Sequence, residues 1–435
     1  MESFVRAFSS TFRLFVALLA AIAPAWAQGE LRGHGGPVRA LSISGDGRLA
    51  ITGSFDSSAI IWSLDAGVAR AVLRAHAGSV NAVMALPDGR FVTAGEDGRL
   101  ALWRDNDLTR PQSFEPVHGG PIAALAISPD GVLIASASWD STVALTSLTG
   151  APLRRLEGHQ GNVNGVAFSR DGRMVVSAGY DATLRFTPLD GAAPRVVRLA
   201  SPLNALAVSP SGEIATGGAD GSVFLLTPDG VLRLHVEAAE APVIALAFSP
   251  DGTRLAVASP RGGIGIFDVA SGKPVFTLNG PGLPVWSLGF TPDGRQILTG
   301  GSDRLLRRWD ARTGDHLGPA VIERPADLLA GLGGGRGAEV FRACVACHTL
   351  SPDGGQRAGP TLHGVIGRRI GGLPGYAYSP GFAEHDIIWS KETIARLFEL
   401  GPAAYTPGTK MPEQRVTSAE DRGALVDFIE AASRP

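Results

Sequence analysis

At 435 residues the chain is too long for one ordinary domain, and its net charge of −2 leaves no basic excess for gripping phosphates, which argues against nucleic acid as a partner. Its 44% hydrophobic and 18% charged residues suit a soluble globular protein. Its 57 glycines and 30 prolines favour many short strands over long helices.

The first segment, residues 1–27, differs from the rest. Arg6 and Arg13 precede the apolar run LFVALLAAIAPAWA, which closes on Ala25-Trp26-Ala27. A positive start, a short apolar core and an Ala-x-Ala end are the features of a secretory signal peptide. The run from Leu14 to Ala23 is too short to span a bilayer as an anchor. Cleavage after Ala27 is expected, leaving an exported, periplasmic protein with no stable membrane insertion.

Residues 28–320 are built from an internal repeat. The stretches GPVRALSISGDGRLAITGSFDSSAIIW, GSVNAVMALPDGRFVTAGEDGRLALW and LPVWSLGFTPDGRQILTGGSDRLLRRW share one pattern. The first apolar residue of each unit falls at Val38, Val80, Ile122, Val163, Leu203, Val243 and Val285, in steps of 40 to 42 residues. Each unit holds four strand-like segments separated by turns, which is one blade of a β-propeller, and seven units predict seven blades. The repeats resemble the WD-repeat family. His34, Thr52, Asp56 and Trp62 stand at the positions of that family's buried hydrogen-bonding tetrad, and His76, Thr93, Asp97 and Trp103 repeat it. The third and fourth units keep His118, Ser136, Asp140 and His159, Ser177, Asp181, with Thr146 and Thr187 in place of tryptophan; the sixth has Arg261 and Phe267 for the aspartate and tryptophan. Each histidine is expected to pair with the aspartate of its own blade, not to join the others around a metal. The segment GELRG before His34 matches the outer strands that precede the other histidines, so the start of the mature chain is expected to complete the seventh blade. Its competitor is the segment around Leu317.

Residues 321–336, within ERPADLLAGLGGGRG, read as a linker. From Ala338 the pattern turns helical, and within that helix the motif Cys344-x-x-Cys347-His348 is predicted. This is the c-type haem attachment signature: two thiols reach two vinyl groups while the imidazole comes up beneath the iron. A zinc site would need further Cys or His ligands, and the chain has no other cysteine. A dithiol oxidoreductase would need a βαβ pattern that is missing here. Of the four methionines only Met411 follows the motif, in YTPGTKMP, and it is the favoured second axial ligand over His363 and His385.

Residues 337–435 resemble a class I, mitochondrial-type cytochrome c over nearly their whole length, through AGPTLHGVIGRR, PGYAYS, IIW, YTPGTKM and DRGALVDFIEAA in that order. The resemblance implies that the Pro360 carbonyl accepts from His348, that Leu362 packs on the haem face, and that Arg368, Tyr378 and Trp389 lie near the propionates. Two departures stand out. Phe398 replaces a tyrosine that bonds to the methionine sulfur in many relatives, and Ala403 and Ala404 replace lysines of a docking ring. Eleven Lys and Arg balance eleven Asp and Glu between residues 330 and 435.

The expected architecture is therefore multidomain: an all-β seven-bladed propeller followed by an all-α class I cytochrome c domain. The expected function is electron transfer by one covalent haem c per chain, with iron ligands His348 and Met411 and the propeller as docking platform for a redox partner protein. An electron carrier is favoured over a catalyst. The alternative is a periplasmic oxidoreductase with an active site in the propeller and the haem as internal relay. Every proposed ligand and supporting residue of the haem lies after residue 340.

Overall fold

The computed structural model describes residues 30–434 except 114–115, 149–151, 261–262, 279–283, 318–333, 346, 353–356, 375, 377, 379–381, 383–384, 410 and 412–413. The expected signal peptide, Arg261 and most of the linker lie outside the described residues.

Seven antiparallel four-stranded sheets occupy residues 30–310. Blade one shows why these sequences make strands. Leu49–Ser54 and Ala59–Ser63 are almost wholly buried because neighbouring blades pack on both faces, while the outer strand Val68–Leu73 reaches the surface. The turns are sharp for a local reason. Ser44 Oγ donates to Asp46 at 2.6 Å and accepts from Leu49 N at 2.9 Å, and Gly47 takes φ 71°. Ser128–Asp130, Ser169–Asp171, Ser249–Asp251 and Thr291–Asp293 repeat the device.

The first strand of every blade touches the first strands of both neighbours, and blade seven touches blade one, so the ring is closed. Closure uses the expected strand. Glu30–Arg32 pairs antiparallel with Leu305–Asp310 of blade seven, Leu31 is buried, and Arg307 bonds to both Glu30 and Asp303. The rival segment shares the same edge. His316 bridges to Trp309 and Leu317 N donates to Arg308 O, just beyond the residues that the N-terminal strand covers. One small difference appears in blade six, whose first strand begins at Ala245, two residues after Val243.

In blade one Trp62 Nε1 donates to Thr52 Oγ1 (2.8 Å), which lies 2.7 Å from His34 Nε2, while His34 Nδ1 lies 3.0 Å from Asp56. Blade two repeats this chain through Trp103, Thr93, His76 and Asp97. His118 and His159 pair with Asp140 and Asp181 in the same way. Without the indole the network is incomplete in blade three, where the Thr146 hydroxyl is buried with no hydrogen-bond partner among the described residues. Among the described residues no three His, Cys, Asp or Glu come together as a metal site.

Among the described residues, helices occur only in the C-terminal part: α1 (Arg336–Phe341), α2 (Lys391–Leu400), α3 (Pro402–Tyr405) and α4 (Ala419–Ala432). Ser390 and Thr393 form a capping box on α2, and Ser418 caps α4. Helices α1 and α4 cross closely because Gly337 has no side chain; a Cβ there would lie 2.1 Å from Ala424 O. Phe341, Leu425 and Ile429 are buried at this crossing. None of these helices is long and apolar enough to cross a membrane.

The attachment motif follows α1 and is not inside it. Beyond Phe341 the chain tightens into turns, with Cys344 N bonding to Phe341 O (2.8 Å) and Cys347 N to Cys344 O (3.1 Å). In turns closed by bonds three residues apart, side chains at that spacing eclipse. That geometry carries Cys344 and Cys347 onto one wall.

Candidate functional site

One cavity collects the residues singled out by sequence. Cys344, Cys347, His348, Pro360, Leu362, Arg368, Tyr378, Trp389 and Met411 all contribute to its lining. Most of the remaining wall within the helical domain is apolar, from Phe341, Val365, Ile394, Leu397, Phe398 and Ile429. His363 and His385 are not part of the lining, and His385 Nε2 lies 3.2 Å from Pro407 O.

His348 is held from three directions. Its Nδ1 donates to Pro360 O at 2.8 Å, which leaves Nε2 unprotonated and free to act as a ligand. Burial pushes its pKa below the ordinary histidine value, against the pull of that carbonyl. Gly359 lies so close that a Cβ would be 2.4 Å from Cε1, and Arg357 donates to the carbonyls of Val345 and His348.

The two cysteines are unbridged. Burial pushes Cys344 up to about 12 and Cys347 up to about 11, so both are neutral thiols. Met411 is partly buried against the helical core, its backbone fixed by the Thr409 hydroxyl at 3.1 Å.

One stretch of wall is polar. Arg368 donates to Thr361 O (2.7 Å) and His363 O (3.2 Å), the Tyr376 and Tyr378 rings meet with centroids 4.7 Å apart, and Tyr378 packs on Phe382. Two thiols at the attachment spacing, an oriented imidazole, a thioether, apolar walls and one cationic, phenolic stretch fit a flat apolar macrocycle that carries iron and two carboxylates.

Sequence reasoning missed several participants. Gly359 and Tyr376 lay inside the quoted motifs AGPTLHG and PGYAYS but were not singled out. The residues proposed from sequence all follow residue 340. Asp56, Ser57 and Arg74 of blade one also line the cavity. Nothing local in their sequence marks them, because the contacts span some 280 residues.

Two departures have visible consequences. Phe398 is buried on the cavity wall and offers no hydroxyl to the Met411 sulfur. Lys391 is engaged by Asp427 (2.5 Å) and Glu430 (3.4 Å), and Lys410 lies outside the described residues.

Comparison with known proteins agrees with this division. The WD domain, G-beta repeat profile matches residues 27–63, 67–104, 110–146, 150–186 and 272–310, and the Cytochrome c profile matches residues 335–433. A cytochrome c of Gibberella zeae is 36% identical over 100 residues, 23% of this chain and 93% of that protein. Cytochrome c type-1 of Ascaris suum is 40% identical over 95 residues, 22% of this chain and 83% of its own length. Cytochrome c 2.1 of Caenorhabditis elegans is 40% identical over 99 residues, covering 22% and 87%.

Proposed function

Because the chain belongs to the cytochrome c family through residues 335–433, behind a seven-bladed WD-repeat propeller, we propose that it is an exported mono-haem electron carrier whose propeller docks a redox partner protein. The observation that carries this reading is the meeting of Cys344, Cys347, His348 and Met411 on one cavity.

Cys344 and Cys347 would hold the haem through thioethers, and His348 and Met411 would bind its iron. When bound, the haem supplies an iron that cycles between ferrous and ferric states. The Pro360 carbonyl fixes the imidazole plane and makes His348 a better donor. The apolar wall from Phe341 to Ile429 excludes water. With an unchanging ligand pair, little need rearrange when an electron moves.

A WD-repeat propeller offers a protein-interaction surface. The helical domain is charge-balanced and its Lys391 is already paired, so electrostatic steering by that domain is weak. The propeller therefore carries partner recognition. The segment ending at Ala27 supports export, which would carry the chain to the compartment where bacterial haem c attachment occurs.

Pyridine haemochrome analysis after acid–acetone extraction tests the reading, with N-terminal sequencing of the mature protein. One haem per chain, all retained on the polypeptide, and a chain starting at Gln28 are expected. Extractable haem, or two haems per chain, would overturn the single-carrier assignment.

A further inference from the structure

The helical domain meets blade one through a small set of close contacts. Ala358 N donates to Gly33 O at 3.1 Å across the boundary. Arg74 Nη2 donates to Arg357 O at 2.8 Å and also to Ala358 O, and its guanidinium lies 4.2 Å from the centre of the Tyr376 ring. Gly35 approaches Cys347 so closely that a Cβ would fall 2.2 Å from its sulfur. Gly119, the corresponding residue after the blade-three histidine, faces open space.

The loop is stiff. His34, between the two contacting glycines, pairs with Asp56, and Gly35 N donates to the same carboxylate at 2.7 Å. That carboxylate is therefore committed, although Asp56 lines the cavity.

Arg74 is different. Half-buried at the cavity, it donates to two backbone carbonyls, hydrogen-bonds with Tyr376 and feels the Asp56 carboxylate, but among the described residues has no carboxylate at ion-pair distance. Arg368 is in the same position across Tyr376 and Tyr378. Two half-buried guanidinium groups with no ion-pair partner among the described residues, with phenols between them, form a wall suited to carboxylates. Haem carries two.

We infer that blade one is part of the haem site: Arg74 supplies a second guanidinium for the haem carboxylates, and the Gly33–Gly35 loop closes over the edge bonded to Cys347. The inference rests on the haem reading above. It changes the propeller's role, because a partner cannot touch the Cys347 edge while blade one covers it.

The test uses the full-length, haem-loaded protein with Arg74→Met, Gly35→Leu and, as a control, Gly119→Leu. The backbone at Gly35 is outside the left-handed region, so the leucine acts through the approach to Cys347. Arg74→Met should lower the midpoint potential, since a cation beside the haem disfavours the ferric form. Gly35→Leu should speed amide exchange at Ala358 by about tenfold as its bond to Gly33 opens. Gly119→Leu should alter neither. An unchanged potential in Arg74→Met would overturn the role of that residue, and unchanged exchange in Gly35→Leu would overturn the closure over Cys347. A wild-type protein without covalent haem would instead overturn the functional reading beneath both.

Discussion

Gly359→Ala probes how the cavity orients its imidazole. The glycine is not in the left-handed region, so alanine is tolerated by the backbone and only the contact matters. The added Cβ would sit 2.4 Å from Cε1 and 2.7 Å from Nδ1 of His348, and 2.8 Å from Cys347 O. Ordinary carbon contacts are about 3.5 Å or more, so the loop must move by about 1 Å. Two bonds lie in the path, His348 Nδ1 to Pro360 O and Gly359 N to Cys347 O, both 2.8 Å. Lengthened to about 3.8 Å, neither remains a hydrogen bond. At about 1 kcal/mol each, with a further cost for unsatisfied buried partners, the domain should lose about 2–4 kcal/mol. Guanidinium unfolding followed at the haem absorption band measures this. Gly423→Ala is the control, because Gly423 is exposed in α4 with nothing within 4 Å. There alanine should add about 0.5–1 kcal/mol. A Gly359→Ala protein with the parent's unfolding midpoint and spectrum would refute the reasoning.

Met411→Ala should keep the haem attached but open the sixth position, removing the ferric methionine–iron charge-transfer band and lowering the potential; an unchanged spectrum would mean another ligand. Thr146→Val removes the unpartnered buried hydroxyl in blade three and should raise stability by about 1 kcal/mol in denaturant melts, whereas destabilisation would reveal a partner for it. The tetrads also make the propeller acid-sensitive. Burial opposes ionisation of Asp97 and Asp140, but hydrogen bonds and the adjacent histidines prevail and hold both at about 2, against an ordinary 3.8. Their stabilisation is complete above pH 4 and disappears as pH falls through 2. His118 and His159 are pushed below 6.5 by burial, so the unfolded chain takes up their protons first and stability begins to fall below that pH. Denaturant midpoints at pH 7, 5 and 3 should fall in that order, and a flat profile would contradict the assignment.

The propeller was legible because each blade's bonds are local. His34 reaches Asp56 and Thr52 within 22 residues, and a His–Asp spacing of 21 or 22 recurs in three more blades. The attachment motif was legible for the same reason, and Met411 because the chain has no other methionine after it. Local pattern could not locate the end of α1, since the residues after Phe341 are as compatible with helix as with the tighter turns they adopt. Nor could it reveal Arg74 or Gly35. An arginine just past a blade strand and a glycine after a tetrad histidine look like ordinary repeat residues. Only the packing of the finished domains against each other distinguishes them.

The strand Glu30–Arg32 runs directly into Gly33 and Gly35. Ring closure and the haem-domain contact therefore depend on the same few residues, and this imposes an order in time. As the chain is made, the opening strand has no partner until residues 305–307 arrive to pair with it. The Gly33–Gly35 loop is held at both ends only after that meeting. The cytochrome segment emerges last and meets a loop whose leading strand is anchored only on a completed ring, so an unfinished propeller would present it with a less firmly held surface.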